Sequence, residues 1–337
     1  MLVSQTKYLV APLATIALLT SCTGGSSTTP LASQQNQSRT GKRATSSCPC
    51  LYVADYYNAS VTVYAEGATG DATPIQTISG SYTGLSDPTD VAVDASRDIY
   101  VANEGSSSVT VYSAGATGNV APIQTIRGSM TRLHYPTGIA LNPLNGNIYV
   151  ANSSNGSNGS RVTIYTPGSS GNIPPIGIIK GKRTGLDQPD GLFLGGSGKI
   201  YVPNVGDNSV TVYRAGATRG VPPVQTISGS YTGLDYPAQV ALDSTAKIYV
   251  ANYFSVTVYA PRANGNVAPI RTIEGHKTQL HYPSGIALDA SGNIYVANAY
   301  ADTVTVYAAG ARGHATPINI ISGPNTGLQV PEGIAIR

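Results

Sequence analysis

The sequence predicts an all-β fold, a six-bladed β-propeller, and three observations support it. A four-part unit recurs along the chain. Only 11% of the 337 residues are charged, whereas Gly, Pro and Tyr number 38, 22 and 22. The last copy of the unit is incomplete in a way that complements the first. Low charge with frequent Gly and Pro is typical of short strands joined by tight turns, and not of helices with solvated faces.

The recurring unit is clearest around the element YVAN and its close variants. Next come SVTVY or a variant, a Gly-rich turn, a segment like PIQTISG, and an L-x-x-P turn that leads into an apolar run such as GIALD. Apolar residues alternate within these segments, as pleated strands require. Four strands in a period of about 48 residues predict one propeller blade per copy. The tyrosine of the element marks the six copies, at Tyr52, Tyr100, Tyr149, Tyr201, Tyr249 and Tyr295.

The two ends of the repeat region predict how the ring closes. The first copy begins at CLYVAD, the second strand of a blade, and the chain stops at PEGIAIR, the first strand of a blade. Residues 333–337 are therefore expected to supply the inner strand of the first blade, which leaves no unpaired inner edge. The propeller domain is predicted over 48–337.

Residues 1–47 are predicted to lie outside the propeller. Lys7 precedes an apolar run that is too short for a comfortable transmembrane helix. The run ends in Leu19-Thr20-Ser21-Cys22, which resembles the lipobox of bacterial lipoproteins. That resemblance implies a signal peptide at 1–21 and a lipid on Cys22; an ordinary signal peptide is the alternative. Residues 22–47 are polar and low in complexity, which indicates a flexible tether.

Two stretches carry a resemblance to a known repeat family. LYVADYYNASVTVY at 51–64 and PSGIALDASGNIYVAN at 283–298 resemble NHL repeats, and the similarity extends over essentially all of 51–337. The family implies a propeller of four-stranded blades. Its members and relatives include RNA-binding and protein-binding modules, an amidating lyase and lactonases. The resemblance therefore predicts the fold and leaves the activity open.

The L-x-x-P turns and the loops after YVAN are expected to share one face, at the mouth of the central channel. Loops on such a face are where binding specificity usually lies. Candidate ligands for a divalent cation such as calcium stand at equivalent turn positions: His134, Asp187, Asp235 and His281. Just past the proline, Asp190 and Glu332 would add carboxylates nearer the axis. The alternative is that the histidines repeat only because the LHYP turn repeats.

Aromatic residues on the same face are candidates for binding sugars, peptides or partner proteins. These are Tyr56, Tyr57, Tyr253, Phe254 and Tyr300, with packing at the rim as the alternative. Phe193 replaces the Ala of the inner-strand run and marks its blade as the one expected to shape a pocket. In contrast, the Asn or Asp that closes each YVAN strand is predicted to be structural, because every blade has one.

Composition and motifs then limit the function classes. Net charge is +3 and the basic residues are scattered, which excludes a typical nucleic-acid surface. No Ser-His-Asp order or acid–base pair departs from the repeats, so no catalytic residue is assigned. The sequence favours a monomeric, non-catalytic binding or scaffold module at the bacterial cell envelope, facing the periplasm or cell exterior. Its partner would be an envelope protein, peptide or carbohydrate, and only the anchor would touch the membrane. The alternative is a metal-dependent lactonase-type hydrolase or a lyase with its site at the channel mouth.

Overall fold

Six four-stranded antiparallel sheets make up a computed structural model of the protein, which describes residues 49–154 and 159–337. Each sheet is one blade, and its strands lie side by side in chain order, except that the first blade takes one strand from the carboxyl terminus. The six-bladed all-β prediction is confirmed. Apart from one 3-10 turn at Ser129–Thr131, the described residues outside the strands form turns and loops.

The blades are numbered from the amino-terminal one, and each is given from its inner to its outer strand. Blade 1 is β24 (Pro331–Ile336), β1 (Cys50–Asp55), β2 (Ser60–Ala65) and β3 (Gln76–Ser79). Blade 2 is β4 (Pro88–Val93), β5 (Ile99–Asn103), β6 (Ser108–Tyr112) and β7 (Gln124–Ile126). Blade 3 is β8 (Pro136–Leu141), β9 (Ile148–Asn152), β10 (Arg161–Tyr165) and β11 (Gly177–Lys180).

The remaining three blades repeat this order. Blade 4 is β12 (Phe193–Leu194), β13 (Ile200–Asn204), β14 (Ser209–Tyr213) and β15 (Gln225–Ile227). Blade 5 is β16 (Gln239–Leu242), β17 (Ile248–Ala251), β18 (Ser255–Tyr259) and β19 (Arg271–Glu274). Blade 6 is β20 (Pro283–Leu288), β21 (Ile294–Asn298), β22 (Thr303–Tyr307) and β23 (Asn319–Ile321).

The carboxyl-terminal strand closes the ring, as the sequence predicts. β24 pairs antiparallel with β1, and Leu51 lies opposite Ile336. The backbones of Cys50 and Arg337 exchange hydrogen bonds of 2.8 and 3.0 Å. The pairing strand begins at Pro331, two residues before the predicted segment. Blade 1 is thus built from both ends of the propeller, and its inner edge is paired.

A buried tyrosine from each third strand packs between neighbouring blades. Tyr112, for example, shares an apolar cluster with Val61 and Ile78 of the preceding blade. Its hydroxyl donates a 2.7 Å hydrogen bond to the carbonyl of Thr83, in the turn that joins the two blades. Because the same bond recurs in every blade, these tyrosines hold neighbouring blades together. The six are Tyr64, Tyr112, Tyr165, Tyr213, Tyr259 and Tyr307.

The predicted signal peptide, the lipid attachment at Cys22 and the tether lie outside the described residues. Within 49–154 and 159–337, the structure contains no helix with the length and apolar character needed to cross a membrane.

Candidate functional site

The Asn or Asp at the end of each YVAN strand forms a ring of six residues, here called the asparagine ring: Asp55, Asn103, Asn152, Asn204, Asn252 and Asn298. In blade 3, the Asn152 side-chain oxygen accepts the backbone N–H of His134 (2.9 Å), and its amide donates to the Val150 carbonyl (2.9 Å). The other four asparagines make the same pair of bonds. The ring is therefore structural, and it holds the L-x-x-P turn instead of the loop that follows YVAN.

The structure does not bring the four predicted cation ligands into one group. His134, Asp235 and His281 are exposed, Asp187 is half-buried, and the ring of His134 packs edge-on against Tyr135 at 4.6 Å. No three His, Cys, Asp or Glu side chains within 49–154 and 159–337 are placed to hold a metal ion. The reason is geometric. These positions stand before the proline, on the wide outer rim of the channel.

Residues just past the proline line a cavity of about 180 Å³ at the channel mouth. Asp190 and Glu332 both line this mouth cavity, as does Tyr56, so three of the predicted residues do meet. Asp190 belongs to blade 4 and Glu332 to blade 1. Blades 1 and 4 are three apart in a ring of six, and the two carboxyl groups therefore approach from opposite sides.

Three hydroxyl groups occupy the same position in other blades and join neighbouring blades together. Thr89, Thr137 and Ser284 each donate to the carbonyl of the next blade's L-x-x-P proline, at 2.9, 2.8 and 2.8 Å. In contrast, the carboxyl groups of Asp190 and Glu332 make no hydrogen bond to any residue that the structure describes. The hydroxyls are used by the scaffold, and the two carboxyls are left facing the cavity.

A hydrogen-bonded pair of side chains forms the floor of the mouth cavity. Oδ2 of Asp90 accepts hydrogen bonds from the Gln239 side chain (3.2 Å) and from the Ile139 backbone (2.8 Å). Its Oδ1 accepts from Val91, and the Gln239 oxygen accepts from Val240, each at 2.9 Å. Asp90 is in blade 2 and Gln239 in blade 5, again opposite each other. This bridge separates the mouth from the rest of the channel.

Glycine occupies the equivalent position of the other four blades, where an added Cβ would meet either a side chain of the bridge or the backbone of a neighbouring blade. The six residues form the neck ring: Asp90, Gly138, Gly191, Gln239, Gly285 and Gly333. A Cβ on Gly333 would lie 2.1 Å from Oδ1 of Asp90, and one on Gly191 would lie 2.3 Å from the Gln239 oxygen. The neck has room for two side chains and no more.

The mouth is acidic, and its carboxyl groups hold protons more tightly than usual. Burial, together with the charge of Glu104, raises the pKa of Asp190 to about 7. The pKa of Glu332 is raised well above its usual value by burial and then by the charges of Asp190, Glu104 and Asp90. Burial also raises the pKa of Asp90 to about 7, although its three hydrogen bonds oppose the shift. At neutral pH the group therefore shares protons among closely spaced carboxyls.

Three connecting segments supply the walls of the mouth cavity. Burial raises the pKa of Glu104, and the neighbouring hydroxyl of Tyr56 opposes that shift only in part. Tyr57 packs edge-on against Tyr56 at 5.7 Å but is itself exposed and outside the cavity. Tyr282, from the turn that enters the neighbouring blade 6, also lines the cavity. Its ring stacks on Tyr300 at 4.3 Å.

Further aromatic side chains continue outward from Tyr282. Tyr253 packs edge-on against Tyr282 at 5.2 Å and against Phe254 at 4.2 Å. Phe254 and Tyr300 are both exposed. The predicted aromatic residues of blades 5 and 6 therefore form one surface beside the mouth. We call it the rim aromatic cluster, consisting of Tyr236, Tyr253, Phe254, His281, Tyr282 and Tyr300.

Phe193 is the predicted site residue that the structure places elsewhere. It lines a second cavity of about 250 Å³, inside the channel on the far side of the neck. There it packs against the apolar cluster between blades 4 and 5. It therefore fills the channel wall and does not shape the mouth.

Four residues of the site were not predicted from the sequence: Asp90, Gln239, Glu104 and Tyr282. For the first two, a signal was present in the sequence. Most repeats begin their inner strand with Pro, any residue and Gly, as in PSG at 283–285. Asp90 and Gln239 replace that Gly in two repeats, and those repeats lie three apart. In a six-bladed ring, that spacing brings the two replacements face to face across the channel.

Comparison with known proteins supports the propeller fold and adds a direction for function. Residues 23–176 match the family model described as a lactonase, 7-bladed beta-propeller. The match covers less than half of the chain, which folds into six blades in its described part. No curated protein shows significant sequence similarity to the chain. The NHL resemblance stays a prediction.

Several solved structures share the fold at low sequence identity. The periplasmic gluconolactonase of Pseudomonas aeruginosa is 14% identical, with a TM-score of 0.58 over 86% of this chain and 99% of that one. Streptogramin B lyase is 13% identical, with a TM-score of 0.53 over 82% and 80% of the two chains. A Bacteroides caccae protein of unknown function is 11% identical, with a TM-score of 0.63 over 86% and 99%. At these identities the likeness establishes the fold alone.

Proposed function

We propose that this protein is a small-molecule hydrolase or lyase of the lactonase type, acting at the channel mouth by carboxyl acid–base chemistry. One observation carries the proposal. Asp190 and Glu332 stand on opposite blades, face one cavity, and have no hydrogen-bond partner among the described residues. Half-buried carboxyl groups with raised pKa values, facing one cavity without a protein partner, are typical of residues that act on a ligand.

Both carboxyl groups have raised pKa values, which acid–base catalysis near neutral pH requires. With a pKa of about 7, Asp190 is partly ionised at neutral pH and can take a proton from water. Burial and the charges of Asp190, Glu104 and Asp90 raise the pKa of Glu332, which favours the protonated form that can donate to a leaving oxygen. In lactone hydrolysis, water adds to the carbonyl carbon as Asp190 accepts its proton. The ring C–O bond then breaks as Glu332 protonates the departing oxygen.

The shape of the site suits this chemistry. The Asp90–Gln239 bridge closes the floor, so a ligand enters and leaves by the mouth alone. The volume of about 180 Å³ is below the roughly 300–1,000 Å³ of sites for drug-sized ligands, and it favours a small ring. A metal-assisted version of the reaction does not fit, since the predicted ligands on the rim are not brought together.

The comparisons support the reaction class without identifying the substrate. The partial match to the lactonase model and the shared fold of the Pseudomonas aeruginosa gluconolactonase favour hydrolysis. The likeness to streptogramin B lyase keeps an elimination reaction as the other possibility. In that reaction, Asp190 would remove a carbon-bound proton instead of a proton from water.

The proposal is tested with the purified full-length chain and a panel of small neutral lactones and esters, with acid release followed in a pH-stat. We expect turnover whose rate rises through about pH 7 as Asp190 ionises, then falls as Glu332 loses its proton. Asp190→Asn and Glu332→Gln should each lower kcat about 100-fold or more. The matched control is Asp235→Asn, which changes an exposed carboxyl outside the cavity. Equal turnover in all variants, or none in the unaltered protein, rejects the proposal.

Non-catalytic binding is the second candidate function, and the rim aromatic cluster is the observation that favours it. Exposed aromatic side chains such as Phe254 and Tyr300 are typical of surfaces that hold a peptide, carbohydrate or protein. In either case we propose that the protein works at the cell envelope, held by a lipid on Cys22, as its amino-terminal sequence predicts.

A further inference from the structure

The charged residues that line the mouth cavity are all acidic. Glu104, Asp190 and Glu332 line it, Asp90 lies beneath them, and no Lys, Arg or His is among the described residues that line it. A phosphate or carboxylate group on a ligand would meet uncompensated negative charge there. Such repulsion between like charges weakens the binding of anionic ligands in a poorly solvated site.

The same carboxyl groups lack the partners that would normally neutralise them. Burial raises the pKa of Asp190 and Glu332, and neither carboxyl is hydrogen-bonded within the described structure. Thr89, Thr137 and Ser284, which stand at the same level, all donate elsewhere. The site therefore holds acceptors that protein groups do not satisfy, and a ligand with N–H donors and a positive charge would satisfy both needs.

Aromatic rings stand beside these carboxyls. Tyr56 and Tyr282 line the cavity, and Tyr282 is held by contacts with Tyr253 and Tyr300. Its hydroxyl pKa is raised by burial first and then by the charges of Asp190 and Glu332, which places the ring in the field of both. Tyrosine rings next to carboxylates are the combination that recognises organic cations, through cation–π attraction together with charge pairing.

We infer that the mouth cavity binds a small organic cation, and that the substrate carries an ammonium group beside the bond that reacts. The second part rests on the proposed function; the first does not. The carboxylate of Asp190 would pair with the cation, Glu332 would keep its proton and accept an N–H hydrogen bond through its carbonyl oxygen, Tyr282 would present an aromatic surface, and Glu104 would add to the field. A phosphorylated or carboxylated substrate is excluded by the same charges.

Binding of the cation is coupled to proton release. The groups that face Asp190 and Glu332 are Asp90, Glu104, Tyr56 and Tyr282, all acidic or neutral. A bound cation favours the ionised carboxylates, so protons leave when it binds. Affinity should therefore rise with pH through about pH 7, by at most about tenfold per pH unit for each proton released.

Isothermal titration calorimetry with three probes of similar shape tests the inference on the full-length protein. Benzylamine is the cation, benzyl alcohol the neutral analogue and benzoate the anion. We expect benzylamine to bind at least about tenfold more tightly than benzyl alcohol, and benzoate not to bind. Titrations in buffers of different ionisation enthalpy should show proton release. Equal affinity for the amine and the alcohol overturns the inference.

Variants locate the binding and separate charge from packing. Asp190→Asn should weaken benzylamine about tenfold or more and reduce the proton release, whereas Glu332→Gln, which keeps a neutral carbonyl acceptor, should weaken it less. They should leave benzyl alcohol unchanged. Tyr282→Leu should weaken benzylamine more than Tyr282→Phe, which keeps the ring. Asp235→Asn is the control. If it weakens benzylamine as much as Asp190→Asn does, the cation sits on the rim and the inference is wrong.

A matched pair of substrates separates this inference from the proposed function. One is a γ-butyrolactone bearing a trimethylammonium group, and the other is its neutral tert-butyl analogue. Faster turnover of the charged lactone supports both ideas. Equal turnover of the two lactones supports hydrolase activity and rejects the cation-binding site. Benzylamine binding without turnover of either lactone keeps the cation site and rejects the hydrolase.

Discussion

The asparagine ring and the neck ring each take one residue from every blade, yet they follow different rules. In the asparagine ring five of the six residues are identical, and each asparagine is satisfied by bonds within its own blade, as Asn152 is. In the neck ring only Asp90 and Gln239 carry side chains beyond hydrogen, and they bond to each other across the axis. Far from the axis the repeat determines the residue. At the axis, opposite blades compete for one space, and a departure in one blade requires a partner three blades away.

Removing residues 333–337 should have the largest effect, because both rings depend on a closed propeller. The deletion removes the partners of Leu51, Tyr52 and Val53 and takes Gly333 from the neck ring. Blade 1 would keep its asparagine-ring residue but lose its inner strand. We expect the shortened protein to be unfolded at room temperature. Circular dichroism followed during heating should then show no cooperative melting transition. Deletion of Arg337 alone is the control: it removes the two backbone hydrogen bonds to Cys50 but leaves the paired strand, and it should cost much less. A sharp, unshifted melting transition in the longer deletion would show that closure does not hold the ring together.

Filling the neck ring should have the next largest effect. Gly333 lies outside the left-handed region, so Gly333→Ala adds no backbone strain. Its Cβ, however, would lie 2.5 Å from Cα of Asp90. We expect a loss of about 2–3 kcal/mol in the free energy of unfolding, measured by urea denaturation, as overpacking typically costs. The control is Gly196→Ala, where nothing lies within 4 Å of the added carbon. Equal stability of the two variants would mean that the neck has more room than the structure shows.

The fold was predictable from the sequence because the repeat records it six times. Strand order, the closure by PEGIAIR and the buried tyrosines all follow from periodicity and turn chemistry, which are local properties. Asp190 and Glu332 were also within reach. They stand just past the proline, where the inner strand starts, and counting blades shows that they are opposite each other.

Much of the site was not predictable by the same reasoning, because the repeat pattern does not show how far each side chain lies from the channel axis. His134 and His281 share a turn position, but that position lies on the wide rim, and equivalence within the repeat does not bring side chains together. Phe193 departs from the repeat as Asp90 does, yet lies on the other side of the neck. Tyr282 lines the mouth cavity only because of the path that its turn takes, which the repeat pattern does not show. Sequence shows which positions depart from the repeat, and the structure is needed to show at which level of the channel each one lies.

Asp55 provides the finest test of the comparison, since it is the single carboxyl in the asparagine ring. It accepts a 2.8 Å hydrogen bond from Thr62, but an ionised carboxylate cannot donate as the asparagine amides do. Its Oδ1 has no well-formed partner among the described residues. Burial therefore raises the pKa of Asp55 to about 8, and the nearby Gln329 backbone N–H offsets this only in part. Asp55→Asn should restore the pattern of the other blades and stabilise the propeller.

The gain from Asp55→Asn should depend on pH in a defined direction. Between about pH 4 and pH 8 the folded protein keeps a proton on Asp55 that the unfolded chain has released, so the stability of the unaltered protein falls as pH rises through this window. The variant has no such proton. Its advantage in the free energy of unfolding should be near zero at about pH 4 and should grow up to about pH 8, by at most about 1.4 kcal/mol per pH unit. The reverse change, Asn103→Asp, should produce the mirror-image profile in blade 2. A pH-independent difference in stability in either variant would mean that packing, and not hydrogen bonding, explains the preference for asparagine in the ring. If both profiles appear as expected, the asparagine ring is uniform because an amide alone can both donate and accept at that position.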